Sequence, residues 1–219
     1  MAFDSQTDPI VYDGGWIKVR KTDKGFMYAE RKGVESIALF LIRRTTTDIE
    51  VLVRYQPLCI DNTTPNLPIF PCAITGTIDA GDTPEQSAVQ EALEEAGYKI
   101  EEVNLRLVTT YIVGTQTNEQ VHLFWCDVTG LEPVEVKGDG SYHESLSKNQ
   151  WEPFSNLKDY RYSACQIAYS RIPVALAKEL FVKASDLVAE QVTEVVTAVA
   201  DKTQEGLKAM SKFFGDMLK

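Results

Sequence analysis

Three glutamates carry the chemical content of this sequence: Glu91, Glu94 and Glu95, in the run Val89-Gln90-Glu91-Ala92-Leu93-Glu94-Glu95-Ala96. On a helix, Glu91 and Glu95 lie one turn apart on one face, and Glu94, three residues from Glu91, adjoins it. Like charges at that spacing cost an isolated helix roughly 0.2–0.5 kcal/mol per pair. The surroundings compensate little, since between residues 76 and 102 eight carboxylates face one cation, Lys99. Carboxylates grouped in this way are hard oxygen ligands of the kind that Mg2+ and Mn2+ prefer. Charge and spacing alone leave two readings open: a divalent-cation site, or an acidic helix face turned to solvent.

The elements that must position these groups are legible around them. Thr83 is a good N-cap, Pro84 suits the first helical position, and Gln86 completes a capping box with Thr83. Gly97 suits the left-handed residue that ends a helix, so a helix is predicted over 84–96. Its small apolar face, Ala88, Val89, Ala92, Leu93 and Ala96, suits close packing on a sheet. Upstream, Trp16 to Arg20 and Phe26 to Glu30 flank the turn residues Thr22-Asp23-Lys24-Gly25 and predict a β-hairpin. The first fourteen residues read as polar and irregular. Ser36 to Ile42 is a nearly continuous apolar run, the mark of a strand buried on both faces, and Glu50 to Tyr55 reads as its partner. Pro57, Pro65, Pro68 and Pro71 make 57–71 a long loop. Short strands are expected at Ala73 to Ile78, Leu105 to Val113, Gln120 to Val128 and Gln150 to Phe154, with loop between Leu131 and Asn149.

The segment Gly76 to Tyr98 resembles the Nudix family. The family box runs Gly, five residues, Glu, seven residues, Arg-Glu, an aliphatic residue, any residue, Glu-Glu, any residue, Gly, aliphatic. Here Gly76, Asp82, Gln90-Glu91, Ala92, Glu94-Glu95, Gly97 and Tyr98 fall at those positions without insertion or deletion. Asp82 stands where the pattern has Glu, and Gln90 where it has Arg; Ala92 and Tyr98 are loose fits at the aliphatic positions. Beyond the box, residues 14–155 are most similar to the ADP-ribose and nucleotide-sugar pyrophosphatase branch. Gly114 and Glu119 match its loop after the box, while Val113 replaces a proline, and Arg54-Tyr55-Gln56-Pro57 departs from its diphosphate-contacting stretch.

The resemblance implies an α/β Nudix fold: a mixed β-sheet sandwiched between helices, with an N-terminal β-hairpin and a C-terminal helical extension. It implies a Mg2+-dependent pyrophosphohydrolase (Mn2+ being the alternative ion) that cleaves a nucleoside diphosphate linked to another moiety, of ADP-ribose or nucleotide-sugar type. The implied metal ligands are Glu91, Glu94, Glu95 and the backbone carbonyl of Thr75, with Glu94 and Glu95 counted also as catalytic. Glu144 is the candidate general base, from a loop that can close on substrate. Arg54 and Glu119 are the candidate substrate-binding residues. Gln90, lacking the charge with which the family arginine orients a box glutamate, supports an alternative: a non-catalytic module that binds a nucleotide as sensor or scaffold. Trp16, Trp125, Trp151, Phe70 and Tyr111 are available to stack on a base.

Composition sets the limits. With 219 residues, 44% hydrophobic and 25% charged, the chain has material for a sizeable core. A net charge of −10 disfavours nucleic acid and anionic membrane as partners, but not a small anionic nucleotide substrate held through metal. Cys59, Cys72, Cys126 and Cys165 contain no CxxC pair and read as buried thiols. No basic segment followed by an apolar run opens the chain, so no signal peptide is expected and the cytoplasm is the expected compartment. From Val174 onward, Leu176, Leu180, Leu187, Val188, Val192, Val195 and Val199 recur at helical spacing. The expected organisation is therefore 1–34 with the hairpin, 35–175 as the Nudix domain and 176–219 as an amphipathic helical extension. That extension packs on its own domain, a twin subunit or a separate partner, and a homodimer is expected. A further reading places the protein's main role in that tail, as an assembly element.

Overall fold

The computed structural model describes residues 4–58, 69–136 and 145–217. Contacts divide the chain into two units, Met1–Ile172 and Pro173–Lys219. The first unit holds two sheets. Strands β1 (Ile10–Asp13), β2 (Ile17–Lys21) and β3 (Met27–Arg31) form an antiparallel sheet in the order β1-β2-β3. The expected hairpin is β2–β3, turning where Thr22 N–H donates to Phe26 O and Gly25 adopts φ +83°. The expectation of irregular structure before residue 14 is corrected by β1. All four β1 residues are exposed, so β1 is held by its ladder to β2 rather than by a buried stripe that periodicity would reveal.

The larger sheet is mixed. Its spine runs β10 (Lys148–Pro153), β5 (Ile49–Pro57), β4 (Glu35–Arg44), β9 (Gln120–Asp127), β8 (Arg106–Ile112), with β6 (Ile69–Cys72) on β5 and β7 (Ile74–Thr77) on β4. β4 and β9 are parallel and the other pairs antiparallel. Ser36 to Ile42 are all buried, as an apolar strand covered on both faces requires. Helix α1 (Pro84–Ala96) lies over β7 and β4. Its alanines Ala88, Ala92 and Ala96 pack with Ile37, Leu39, Leu41, Ile74 and Phe124, and the absence of bulk on that stripe brings helix and sheet close together. Cys72, Cys126 and Cys165 are buried free thiols, and burial pushes the thiols of Cys72 and Cys126 up to about 12 and about 11. Cys59 lies outside the described residues.

The last helix, α2 (Ser163–Met217), begins eleven residues before the change of texture expected at Val174 and runs through Pro173. Its first turns bury Ala164, Cys165, Ala168 and Ile172 at helical spacing within the first unit. Proline removes one i→i−4 bond, which marks a boundary in sequence but here does not end the helix. In the second unit Val188 and Val192, one turn apart, are exposed, as are Glu190, Thr193, Glu194 and Asp201. No helix among the described residues is long and apolar enough to cross a membrane.

Candidate active site

α1 forms as its ends dictate. Thr83 Oγ1 accepts from Gln86 N–H at 3.1 Å and Gln86 Oε1 accepts from Thr83 N–H at 2.9 Å, closing the capping box. At the other end Gly97 takes φ +76°, its N–H bonding Leu93 O while Tyr98 N–H bonds Ala92 O. The chain then passes so close to Val134 that a Cβ on Gly97 would overlap the Val134 carbonyl. Tyr98, at an aliphatic box position, is buried edge-on to Trp151 with ring centroids 6.2 Å apart. An aromatic therefore serves there as core.

With the helix fixed at both ends, Glu91 points onto β7. Its carboxylate lies against the backbone of Gly76, in space that any side chain at 76 would fill. Burial pushes the Glu91 carboxyl up to about 8, and the charges of Glu95 and Glu94 add to the shift. Glu95 is half-buried, with Oε1 3.0 Å from Arg54 Nη2 and Oε2 accepting from Thr75 N–H at 3.3 Å. N–H and C=O of one strand residue leave the backbone toward the same edge, so the Thr75 carbonyl faces the same side. Glu94 is exposed and accepts from Gln90 Nε2 at 3.0 Å. Gln90 thus keeps a hydrogen bond to a box glutamate without a charge. Among the described residues, no three acidic, histidine or cysteine side chains already converge as a metal cage. The donor set nonetheless fits a hard divalent cation: three carboxylates and a carbonyl, with one carboxyl raised first by burial and then by its acidic neighbours, both of which a cation would offset.

Of the other expected site residues, Arg54 joins the carboxylates at the end of α1 and Glu119 pairs with Arg31 instead. Arg54 is 4% exposed and donates to groups inside the protein, Gln56 Oε1 at 3.2 Å and Glu95 O at 3.4 Å. Glu119 is ion-paired with Arg31 and accepts from Ser36 Oγ at 2.9 Å. With Asn118, which bonds both the N–H and the carbonyl of Arg31, it ties the hairpin sheet to the loop before β9. Glu144 and its neighbour His143 lie outside the described residues. Of the aromatics, Trp125 is core and Trp151 carries the Arg43 guanidinium 4.3 Å above its ring. Trp16 is 48% exposed. It lines a groove of about 580 Å3 together with Lys32, Thr77, Asp79 and Asp82, between the hairpin sheet and the turn that leads into α1.

Two contributors escaped the sequence reading. Asn149 donates to Glu95 O at 2.6 Å, helping to satisfy the end of α1 from β10. Lys32 in the groove had no pattern around it. Asn149 carries no local signal, because the pairing of β10 with β5 brings it to the end of α1.

A family model described as NUDIX domain matches residues 34–168. No curated protein matches the sequence. Among solved structures, a C. elegans Ap4A hydrolase binary complex is 18% identical, with 66% of this chain and 98% of that chain covered at a TM-score of 0.46.

Proposed function

The chain belongs to the Nudix family of hydrolases, and from that membership we propose that it is a Mg2+-dependent pyrophosphohydrolase. Its substrate is a nucleoside diphosphate joined to a second moiety, of the ADP-ribose or nucleotide-sugar kind. The observation that carries this reading is the group of carboxyls on α1: Glu91 pressed onto Gly76, with its carboxyl raised to about 8 by burial and by Glu95 and Glu94. Such a cluster is costly without a cation, and the family box supplies the reason for keeping it.

Glu91, Glu94, Glu95 and the Thr75 carbonyl are the proposed metal ligands. A cation held by them would supply activation of a water and neutralisation of phosphate oxygens. The residues do the positioning. Glu91 is held by the helix and by the lack of a side chain at 76, Glu95 by Arg54 and Thr75 N–H. Glu144 is proposed as the base that takes the proton from the attacking water. The groove beside the box is large enough for a nucleotide, with Trp16 to stack on a base and Lys32 to meet a phosphate. We also propose that the hairpin sheet is a self-association face. Ile10, Val11, Tyr12, Ile17 and Met27 are all exposed there, a concentration of apolar residues that marks an interaction surface.

The test is release of a nucleoside monophosphate from a panel of diphosphate compounds with Mg2+, and its loss in Glu95→Gln. One observation favours a second reading, a nucleotide-binding module without turnover: Glu95 is already engaged by Arg54. Metal-dependent nucleotide binding with no cleavage of any compound replaces the hydrolase by that module.

A further inference from the structure

A buried arginine is tolerated only with a counter-charge and partners for its donors. Arg54 sits in β5 with backbone register fixed from both sides, opposite Asn149 of β10 and Cys72 of β6. This delivers its guanidinium to the C-terminal end of α1, where a cation also complements the helix dipole. Nη2 lies 3.0 Å from Glu95 Oε1, and Nη1 reaches both Glu95 O at 3.4 Å and Asn149 Oδ1 at 3.5 Å. Nε is held by Gln56. The side chain of Arg54 is 5% exposed, which leaves no surface for a substrate phosphate. The box lacks its usual cation, and the neutral Gln90 reaches Glu94 rather than Glu95.

We propose that Arg54 is a positioning residue that supplies, from β5, the cation missing from the box at Gln90. It holds the Glu95 carboxylate, with Thr75 N–H on the other oxygen, in the orientation from which Glu95 serves the metal. The inference rests on the metal-dependent reading of the same site, and it reassigns Arg54 from substrate contact to action through Glu95. Arginine suits the task because its planar fork addresses a carboxylate and a carbonyl together, which a lysine ammonium cannot do from one fixed geometry.

The test uses the full chain. Arg54→Lys keeps the charge and loses the fork. Mn2+ affinity, read by titration without substrate, is expected to fall by about tenfold, and kcat by about 10- to 100-fold, as for other groups that orient a metal ligand. KM stays within about threefold, because no substrate contact is removed. In the Glu95→Gln background, Arg54→Gln adds less than about twofold to the loss of Mn2+ affinity, since the two residues act as one unit. That neutral pair also leaves no buried charge unmatched, so it tests the proposal even where Arg54→Lys fails to fold. A tenfold rise in KM with kcat intact would overturn the proposal in favour of a phosphate contact. Unchanged Mn2+ affinity in Arg54→Lys, or losses that add in the double variant, would reduce Arg54 to a structural role. If the wild-type chain turns over no compound, the hydrolase reading fails, while the Mn2+ titrations still decide the part played by Arg54.

Discussion

Glu91 packs its carboxylate against the backbone of Gly76, fifteen residues earlier in the chain, in the space a Cβ at 76 would need. The contact joins the first and the central positions of the box. It makes the glycine a requirement of close approach rather than of backbone conformation, since Gly76 is absent from the glycines with positive φ.

Gly76→Ala should therefore displace Glu91 while leaving the sheet paired. Activity is expected to fall by about 10- to 100-fold, the usual cost of misplacing a metal ligand, with the far-ultraviolet circular dichroism retained. Turnover close to wild type would mean that Glu91 has room to move and is not held by the strand.

Proton uptake at Glu91 should couple to metal. Its carboxyl is raised from 4.5 to about 8 by burial, then by Glu95 and Glu94. The folded protein thus holds this proton more tightly than the unfolded chain. The associated stability is full below pH about 4.5 and is lost as pH rises toward about 8. Metal-free protein should melt at progressively lower temperature across that window, and Glu91→Gln should flatten the slope. Adding Mg2+ near pH 7 should release close to one proton, measurable by calorimetry in buffers of different ionisation enthalpy. Identical heats in all buffers would refute the coupling.

Glu152 ties β10 to β5 and to the segment that follows β10. It is 5% exposed and accepts from the hydroxyls of Tyr55 and Tyr160 and from Asn156 Nδ2. Burial pushes its carboxyl up, but those three donors outweigh it and hold it below the usual range. Glu152→Ala removes the acceptor shared by two tyrosine hydroxyls and should cost about 2–4 kcal/mol in denaturant unfolding. Because the carboxyl is depressed, its contribution is present at neutral pH and is lost on acidification below the ordinary glutamate range. A loss below about 0.5 kcal/mol would show that water takes over the hydroxyls.

The described site residues belong to the first unit, Met1–Ile172. Deleting residues 184–219 should leave kcat/KM within about twofold, as for sites without shared partners. If mass also becomes independent of concentration in that truncation, assembly lies in the tail and the proposed role of the hairpin sheet is withdrawn. Val11→Glu, on the exposed face of β1, should dissociate a dimer held by that sheet, read by light scattering.

Much of the fold could be read from the chain because its signals are local. The capping box of Thr83 and Gln86, the left-handed Gly97 and the alanine stripe all act within a few residues, so α1 appears with the expected ends. Continuous burial of Ser36 to Ile42 followed from their unbroken apolar character. β1 did not announce itself, since a strand with no buried side chain leaves no alternation. The start of α2 was hidden behind Pro173, where local propensity argues for a stop.

The sequence by itself determined the identity and register of the carboxylates, because helix geometry converts a spacing of three and four directly into a shared face. Tertiary structure alone decided what those carboxylates meet. Arg54 and Glu95 are 41 residues apart, Arg31 and Glu119 far more, and packing of α1 against the sheet and of the loop before β9 against the hairpin sheet brings the pairs together. Arg54 and Glu119, which the family pattern suggests for substrate, each pair with a charged side chain of the protein itself. The reason is physical: a charge that the fold buries must find its partner inside the fold, and only the paired strands determine which partner that is.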